Sequence, residues 1–524
     1  MTVSNPSLPP EFCEIPDRLN IAGELIDKIN TRGFGKRTAF VWDDGCVTFG
    51  DLADRVNRLC HGLATAGVTP GMSVLVWMHN CHEFVETLLA VMKVGAIPIF
   101  LNSQLGDEEV GYVIAHSDAQ VAFTLSSLTD PLLKFIDTLP LGVFVARGAP
   151  KGTNAFEMLT GDDPGDPFPT AQTKSDDPAF MIYTSGTTGR PKGIVHAHRW
   201  VIALGNANIY RLPVRSEDRI YATGEWSFIS ALGHNVIFPM RNGVTAVILE
   251  GRPTAENVLK TIERHRPTLM YSVATVYRRI LAIDEVEDLY DFSSLRGCNA
   301  TGEALEATTW HAFKDRIGCE IWEHYGVSEM QMVLGQGPRQ PVRPGSIGVT
   351  IPGTHVEVLD EKYRKVPPGK IGHLMIAAQN PGFFIEYHKD PEKTAEVVHD
   401  GWYHTGDLAW QDEDGFFWVA GREDDCFKSR GIFISPYEIE NILRQHPAII
   451  EACVVPRSDS EIGNRIRAVC VLKAGTKPTK AMAEEIRASV RMRIAPYKTP
   501  HIIEFAEYLP KSPVGKILRR ELTP

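Results

Sequence analysis

The segment Tyr183-Thr-Ser-Gly-Thr-Thr-Gly-Arg-Pro-Lys-Gly193 decides the fold assignment of this chain. Its three glycines let the backbone turn sharply and come close to an anion, and its hydroxyls add donors beside the main-chain amides. Lys192 adds a full positive charge. The apolar residues 179–183 before the segment predict a buried strand, and we expect a helix after it. The pattern predicts a phosphate-binding loop, although its spacing differs from that of the common ATPase loop.

Composition excludes several classes of protein. With 524 residues the chain is too long for one hydrophobic core, so we expect at least two domains. A net charge of −11 argues against a nucleic-acid-binding or membrane-surface protein, because both need a basic face. The longest apolar stretch, residues 84–101, is interrupted by Glu86, Lys93 and Pro98, which argues against a membrane span.

The nine cysteines include no Cys-x-x-Cys pair, which indicates reduced thiols and predicts a cytoplasmic protein. His196 and His198 lack nearby carboxylates or thiolates at metal-binding spacing, so the sequence predicts no structural zinc. The oligomeric state is left open between a monomer and a homodimer.

Strand-like and helix-like stretches alternate from residue 48 to 124 and again from 244 to 281, which predicts two sheet layers with helices on both faces. Residues 153–177 are rich in Gly, Pro and Asp and are interpreted as a surface connection. From about residue 345 short β-type runs predict a small barrel. The fold class is therefore α/β: a large N-terminal domain of two doubly wound sheet layers plus a small β-barrel, followed by a small α+β domain.

The loop resembles the signature of the adenylate-forming (AMP-binding) superfamily, and three further motifs follow in the family's order. They are Ala300-Thr-Gly-Glu-Ala-Leu305, Glu323-His-Tyr-Gly-Val-Ser-Glu329 and Tyr403-His-Thr-Gly-Asp-Leu408. The resemblance covers nearly the whole chain and lies on the acyl- and aryl-CoA synthetase branch, near benzoate-type and medium-chain ligases. Ser328 stands where the family has threonine, and its hydroxyl keeps the donor.

The resemblance implies a set of nucleotide-site residues. Glu329 is expected to hold Mg²⁺, Asp407 to accept hydrogen bonds from both ribose hydroxyls, and Lys192, Glu329 and Lys516 to be catalytic. The implied ATP/AMP-binding residues are Thr184, Ser185, Gly186, Thr187, Thr188, Gly189, Lys192, Gly302, Glu303, Ala304, Glu323, His324, Tyr325, Gly326, Ser328, Asp407, Arg422 and Lys516.

For the acid, the segment Trp226-Ser-Phe-Ile-Ser-Ala-Leu-Gly-His234 resembles the one whose aromatic side chain, here Phe228, separates the acid from ATP. The implied acid pocket consists of Trp226, Phe228, Gly233, Met330 and Met332. Such a lining favours a small to medium apolar acid, whether aromatic, cyclic or medium-chain. Benzoate-type ligases have a histidine where Met332 stands, which argues against benzoate itself.

For the second half of the reaction, the resemblance implies a CoA channel and a hinge. The CoA residues are Arg430, Gly431, Ile432, Thr499, Pro500 and His501, and the hinge is Asp424. The predicted domains are residues 1–421 for ATP and acid, a hinge at 422–426, and a mobile small domain at 427–524. Lys516 lies in Pro510-Lys-Ser-Pro-Val-Gly-Lys516.

The sequence therefore predicts an AMP-forming acid–CoA ligase that uses ATP, Mg²⁺ and CoA. Two alternatives stay open at this point. An adenylating enzyme could load a carrier protein instead of CoA, and a nucleotide-binding protein could lack catalysis. The Arg430–Gly431 stretch favours CoA, and the retention of Lys192, Glu329, Asp407 and Lys516 argues against loss of catalysis.

Overall fold

The structure is a computed structural model. It describes residues 15–29, 31–161, 167–184, 190–204, 214–339, 341–430, 432–459, 461–473, 475–511 and 517–523. The chain forms two compact units. The first comprises the described residues within Met1–His355 and Ala377–Trp402, and the second those within Val356–Ile376 and Tyr403–Pro524. The predicted hinge at 422–426 lies within the second unit, and its role as a hinge stays a prediction.

The first unit contains an eight-stranded sheet with a parallel centre. In the spatial order given below, each strand from Ile97–Phe100 to Asn154–Ala155 pairs parallel with the next. The strand Pro178–Thr184 pairs antiparallel with Lys192–Ala197. In spatial order the strands are Glu386–Tyr387, Lys192–Ala197, Pro178–Thr184, Ile97–Phe100, Ser73–Trp77, Val121–Leu125, Val143–Ala146 and Asn154–Ala155.

A second, nine-stranded sheet of the same unit is also parallel at its centre and antiparallel at both edges. Its strands, in spatial order, are Val349–Thr350, Met330–Gly335, Ile321–Val327, Gly297–Ala300, Leu269–Ser272, Arg219–Ala222, Thr245–Val247, Thr38–Trp42 and Gly45–Thr48. A parallel sheet places the carboxyl ends of its strands at one edge, where ligands bind in open α/β folds.

The helices follow the predicted alternation, and a side chain caps the first turn of some of them. Thr48 Oγ1 accepts a hydrogen bond from the Asp51 amide at 3.1 Å, and Thr254 Oγ1 accepts one from the Asn257 amide at 3.2 Å. The α-helices of the first unit include Phe49–Thr65, His82–Lys93, Asp107–Ser117, Thr129–Leu133, Ile229–Leu232, Phe238–Asn242, Ala255–His265, Ala274–Leu281, Val286–Leu289, Ala307–Ile317 and Pro391–Glu396, and residues 200–204 are also helical. The described part of the unit also contains two π-helical turns, Gly23–Asp27 and Gly233–Ile237, and three 3₁₀ turns, Ser126–Leu128, Ile136–Thr138 and Phe156–Leu159.

An aromatic cluster packs the two sheets against each other. The Trp226 ring lies 6.4 Å from that of Phe40 in one sheet and 5.4 Å from that of Phe84, which stacks at 5.3 Å on Phe100 of the other sheet. These four side chains are at most 1% exposed. Burying such large rings supplies much of the apolar contact between the layers.

Two local predictions are wrong. The phosphate-loop segment is followed by the strand Lys192–Ala197, not by a helix, because this strand lies inside the sheet and residues 193–197 are all buried. A segment without exposed polar positions gives no helical periodicity. Residues 153–177 are also more than a surface connection, since they contribute the strand Asn154–Ala155 and bury Phe156 and Leu159.

The second unit contains an antiparallel sheet, a two-stranded hairpin and a three-stranded sheet whose last two strands pair parallel. Its first sheet contains the strands Val356–Leu359, Gly372–Ala377, Trp402–Gln411 and Phe417–Arg422, in the region predicted as a small barrel. Next come the hairpin Phe427–Ser429 and Ile432–Ile434 and the sheet Ile449–Asp459, Gly463–Leu472 and Ile502–Phe505. The helices are Pro436–Arg444, Lys480–Arg491 and Arg519–Leu522, with a 3₁₀ turn at Pro496–Lys498. The α+β composition predicted for this end of the chain is confirmed.

None of the helices described in either unit is long and apolar enough to cross a membrane.

Candidate active site

Residues 185–189 of the phosphate-loop segment lie outside the described residues, as do Gly431 and Lys516. The two ends of the loop segment are described. Thr184 and Lys192 pair directly across the antiparallel ladder that joins Pro178–Thr184 to Lys192–Ala197. The hairpin therefore fixes both ends of the segment at one edge of the eight-stranded sheet.

Lys192 belongs to a three-residue charged cluster in the first unit. Its ammonium donates to Glu329 Oε1 at 2.7 Å and to the Tyr387 hydroxyl oxygen at 3.0 Å, and it lies 4.2 Å from the centre of the Tyr387 ring. The Tyr387 hydroxyl in turn donates to Glu329 Oε1 at 2.6 Å. Sequence reasoning predicted Lys192 and Glu329 as catalytic residues, and the structure brings them into direct contact.

Glu329 is ionised although it is almost fully buried, with 5% exposure. Burial by itself raises the pKa of this carboxyl, but the charge of Lys192 and the hydrogen bonds from Lys192 and Tyr387 outweigh it and lower the pKa below its ordinary value. Both donors meet the same oxygen, Oε1. The site therefore holds an ionised carboxylate whose negative charge is balanced by Lys192.

Other motif residues surround the end of the strand Ile321–Val327. His196 Nε2 donates to the carbonyl oxygen of Ser328 at 2.9 Å, and His324 Nε2 donates to that of Gln336 at the same distance. Burial lowers the pKa of His196 to about 4, so its ring is neutral and serves as a hydrogen-bond donor. Tyr325, Gly326 and Ser328 are half-buried.

The predicted adenine-contacting turn is built around a glycine. Gly302 has φ +85°, a backbone conformation that L side chains rarely adopt. The carboxylate of Glu303, the next residue, accepts a hydrogen bond from the Thr275 amide and pairs with Arg278 at 3.3 Å. Ala304 follows and is half-buried.

In the second unit, Asp407 and Arg422 face each other across an antiparallel ladder. Arg422 Nη1 donates to Asp407 Oδ1 at 3.2 Å and to the Thr405 carbonyl at 3.1 Å. Gly406 has φ +74°, and a Cβ there would lie 3.0 Å from Arg422 Nη2, so the glycine permits this close approach. The predicted ribose-binding pair is thus assembled as a local unit.

Beside this pair, His373 and His404 approach Glu423. Glu423 Oε2 lies 3.4 Å from His373 Nδ1 and 3.5 Å from His404 Nε2. His404 Nδ1 accepts a hydrogen bond from the Gly406 amide at 3.2 Å, which places the ring proton on Nε2, facing the carboxylate. A metal ion at Nε2 would have to displace that proton, so the tautomer set by the Gly406 amide does not favour a metal site at this cluster.

The chain matches the profile of the AMP-binding enzyme family over residues 28–387 and that of the AMP-binding enzyme C-terminal domain over residues 438–516. It is 34% identical to the benzoate–CoA ligase of Thauera aromatica, over 100% of this chain and 99% of that protein. It is 31% identical to the 3-hydroxybenzoate–CoA ligase of Aromatoleum sp. (strain CIB), over 96% of each. This chain belongs to the AMP-binding enzyme family.

Solved structures agree with this assignment. An anthranilate CoA ligase in complex with anthranoyl-AMP matches with a TM-score of 0.91 and 30% identity, over 98% of each chain. A benzoate CoA ligase from Burkholderia xenovorans LB400 matches with a TM-score of 0.86 and 30% identity, over 96% of this chain and 99% of that one. The predicted activity is confirmed: this AMP-binding enzyme is an AMP-forming acid–CoA ligase with ATP and CoA as substrates. The carrier-protein alternative is not favoured.

The residues predicted for the acid pocket lie in different surroundings in this AMP-binding enzyme. Trp226 is fully buried in the aromatic cluster described above, and Phe228 is half-buried just before the helix Ile229–Leu232. That helix packs against the strand that carries the buried Met330 and Met332. A Cβ on Gly233 would lie 3.1 Å from Leu204, so a larger residue would crowd this site. Membership of these residues in an acid pocket stays a prediction.

The residues predicted to contact CoA lie in the second unit. Arg430 has φ +53° and its amide donates to the Ile462 carbonyl at 2.9 Å, while Ile432 is 42% exposed. His501 Nδ1 accepts from the Ile466 amide at 3.0 Å, which gives this ring a structural role. Thr499 is half-buried and Pro500 is buried. The CoA contacts stay predictions.

Asp424, the predicted hinge residue, is exposed in a turn. The turn is closed by hydrogen bonds from the Asp425 amide to the Arg422 carbonyl at 3.2 Å and from the Cys426 amide to the Glu423 carbonyl at 3.1 Å. A rotation about Asp424 would therefore have to change a turn that these two backbone hydrogen bonds stabilise.

Glu323 carries a prediction about pH. Its side chain is fully enclosed, and burial raises the pKa of its carboxyl well above the usual 4.5, with the charge of Glu306 adding to the effect and a hydrogen bond from the Leu305 amide opposing it. The folded enzyme therefore keeps a proton that the unfolded chain loses above its ordinary pKa. Because the unfolded state then binds fewer protons, this group makes stability fall as the pH rises through that window.

We expect Glu323→Gln to remove this pH dependence, because the amide keeps an acceptor for Leu305 and stays neutral. The melting temperature of the variant minus that of the parent should grow by about 2 °C or more between pH 5 and pH 8. Glu320→Gln, on a partly exposed side chain paired with Lys314, is the control and should give no such trend. A difference that is constant across this pH range would contradict a protonated Glu323.

Proposed function

We propose that this AMP-binding enzyme activates an aromatic carboxylic acid. The acid carboxylate attacks the α-phosphorus of ATP and pyrophosphate leaves, and the CoA thiol then displaces AMP from the acyl-adenylate. The aromatic class is supported by relatives named for benzoate, 3-hydroxybenzoate and anthranilate that match over nearly their whole length. The buried Met330 and Met332 agree with a flat apolar ring.

The contact of Lys192 Nζ with Glu329 Oε1 at 2.7 Å is the observation that carries the adenylation half of the proposal. Lys192 follows the loop segment and pairs with Thr184, so its ammonium is placed to meet the phosphates that the loop binds. In this proposal Lys192 and the hydroxyls of Thr184, Ser185, Thr187 and Thr188 bind the phosphates. Ser328 and Tyr325 contact the nucleotide. Glu329 supplies the negative charge that faces the Lys192 ammonium.

The Glu329 carboxylate fits a bound Mg²⁺. It is ionised and buried, and an oxygen ligand of this kind is the one that Mg²⁺ prefers. Lys192 and Tyr387 both occupy Oε1, so the second oxygen, Oε2, would take the ion. When bound there, Mg²⁺ supplies charge that shields the ATP phosphates during attack.

The remaining roles belong to the second unit. Asp407, oriented by Arg422, would accept hydrogen bonds from the ribose hydroxyls, and Lys516 would act on the adenylation step. Arg430, Gly431 and Ile432 would border the pantetheine of CoA. The cysteines of the described residues are free thiols, which agrees with the predicted cytoplasmic location.

A panel of acids tests the proposal. We expect pyrophosphate release from ATP with benzoate and its hydroxy and amino derivatives to exceed that with acetate, cyclohexanecarboxylate or octanoate by at least about tenfold in kcat/KM, because about 1–3 kcal/mol of shape discrimination is typical of an apolar pocket. AMP formation should depend on CoA. Pyrophosphate release without CoA-dependent AMP formation would indicate another acyl acceptor, and a preference for octanoate would contradict the aromatic assignment.

A further inference from the structure

The helical segment that begins at Ile229 contains an irregularity. Between the α-helices Ile229–Leu232 and Phe238–Asn242 the residues Gly233–Ile237 form a π-helical turn. Asn235 fixes this turn, because its Oδ1 accepts from the Ala222 amide at 3.1 Å and its Nδ2 donates to the Val247 carbonyl at 2.9 Å. Such π turns are rare and often occur at functional sites.

The turn holds the His234 ring in one orientation and one protonation state. His234 Nδ1 lies 2.7 Å from the Ser230 carbonyl oxygen, which can only accept, so Nδ1 carries the proton. Burial lowers the pKa of His234 to about 4, and the ring is therefore neutral near pH 7. Its Nε2 is an acceptor that meets no hydrogen-bond partner among the described residues.

Tyr271, whose ring lies against that of His234, provides a second polar atom without a partner in the described residues. Its ring stacks on His234 with 4.2 Å between the ring centres, and its hydroxyl is buried without a hydrogen-bond partner in the described part of the chain. His234 and Tyr271 are 3% and 2% exposed. Two stacked, buried rings that each carry a polar atom without a partner are unfavourable in an empty site, which supports a ligand that satisfies these atoms.

The pair lies close to the residues already assigned to substrates. Tyr271 precedes Ser272 at the carboxyl end of its strand, where the Thr301 amide donates to the Ser272 carbonyl at 3.0 Å. Thr301 opens the turn that contains Gly302, predicted to contact adenine. On the other side, the helix Ile229–Leu232 that leads to His234 packs against the strand of Met330 and Met332. His234 and Tyr271 therefore lie at the same edge of the nine-stranded sheet as the predicted acid pocket.

We propose that His234 Nε2 and the Tyr271 hydroxyl form the polar end of the acid pocket and select aromatic acids that carry a hydroxyl or amino group on the ring. The His234 lone pair accepts the substituent's O–H or N–H, and the Tyr271 hydroxyl donates to its oxygen or nitrogen. An unsubstituted ring leaves both protein groups without partners. This inference rests on the proposed aromatic-acid ligase function and narrows its substrate class.

Tyr271→Phe removes the hydroxyl and keeps the ring that stacks on His234. For the parent we expect kcat/KM for pyrophosphate release to be at least about tenfold higher with one isomer of hydroxybenzoate or aminobenzoate than with benzoate. Tyr271→Phe and His234→Leu should each lower that ratio by about tenfold to a hundredfold, because a site built to bind a hydroxyl discriminates strongly against its absence. Calorimetric binding of the same acids without ATP should show the same change in ratio.

Tyr221→Phe is a matched control. Tyr221 is equally buried on the neighbouring parallel strand, but it pairs with Met270, whereas Tyr271 pairs with Ala222, so the two tyrosines point to opposite faces of the sheet. This variant should keep the parental ratio. Melting temperatures of all three variants check their folding.

The outcomes separate this inference from the proposed function. Absence of pyrophosphate release with every aromatic acid would overturn the proposed function itself. If kcat/KM for pyrophosphate release with benzoate equals that with all six hydroxybenzoate and aminobenzoate isomers, only the inference is overturned. The same holds if Tyr271→Phe leaves the ratio of substituted acid to benzoate at the parental value.

Discussion

Replacing Glu329 by glutamine is expected to slow adenylation by about 10²–10³, the size of effect seen when one preorganised electrostatic group is removed from an active site. The amide keeps the shape of the carboxylate and loses its charge, so Lys192 loses its counter-ion and the proposed Mg²⁺ site loses an anionic ligand. Pyrophosphate release from ATP and benzoate measures the loss. Transfer from supplied benzoyl-adenylate to CoA should change little, because no triphosphate takes part in that step.

The control is Tyr387→Phe, which deletes the hydroxyl that donates to Glu329 Oε1 at 2.6 Å and keeps the ring against the Lys192 ammonium. One hydrogen bond from an uncharged donor contributes less than the full charge of the carboxylate, so we expect a loss of about tenfold or less. A second measurement is the Mg²⁺ concentration at half-maximal adenylation, which should rise in Glu329→Gln and stay near the parental value in Tyr387→Phe. Equal losses in the two variants would mean that Glu329 acts by packing and not by charge.

Periodicity predicted most of the regular structure because most elements have one buried face. Within the alternation predicted over residues 244–281, the structure has the helix Ala255–His265, which buries Val258, Leu259 and Ile262 on one face. Polar and apolar positions alternate clearly in such elements. The strand Lys192–Ala197 has no exposed face beyond its first residue, and a short fully buried segment does not distinguish strand from helix.

The candidate site was predictable where it lies on continuous motifs. Lys192 and Glu329 were each predicted from a local pattern, and the structure joins them across 137 positions of sequence. Tyr387 was missed because it lies on a two-residue strand, 58 positions from Glu329, and only the pairing of that strand with residues 194–195 brings it to the site. Contacts of this kind depend on sheet topology and have no sequence spacing of their own.

The same limit applies to the acid side. His234 ended the segment quoted for the pocket, yet nothing in the sequence connected it with Tyr271 or indicated a π turn between two helices. Trp226 was predicted as a pocket residue because it is aromatic, but its ring lies in the core between the rings of Phe40 and Phe84. Residue type suggests pocket membership, whereas an unpartnered buried polar atom is visible only in three dimensions.

Although Lys516 lies outside the described residues, both flanks of its segment are fixed in the second unit. Lys511 and Ile517 pair as an antiparallel bridge, and the Leu518 amide donates to the Pro510 carbonyl at 2.9 Å. Arg519 then anchors the chain through Asp425 at 3.0 Å and through the buried Glu440. Substitution at position 516 therefore leaves the contacts that hold the segment in place.

Lys516→Ala is expected to lower the adenylation rate by at least about 10²–10³, because the residue is predicted to donate charge-assisted hydrogen bonds as negative charge accumulates at the α-phosphorus. CoA transfer from supplied benzoyl-adenylate should change little, and the melting temperature should match the parent's, since the loss of one lysine side chain seldom affects folding. Lys511→Ala removes the same charge from the same motif, where Lys511 pairs with Glu451, and should leave both half-reactions intact. Equal slowing of both half-reactions in Lys516→Ala, or of neither, would contradict the role given to Lys516.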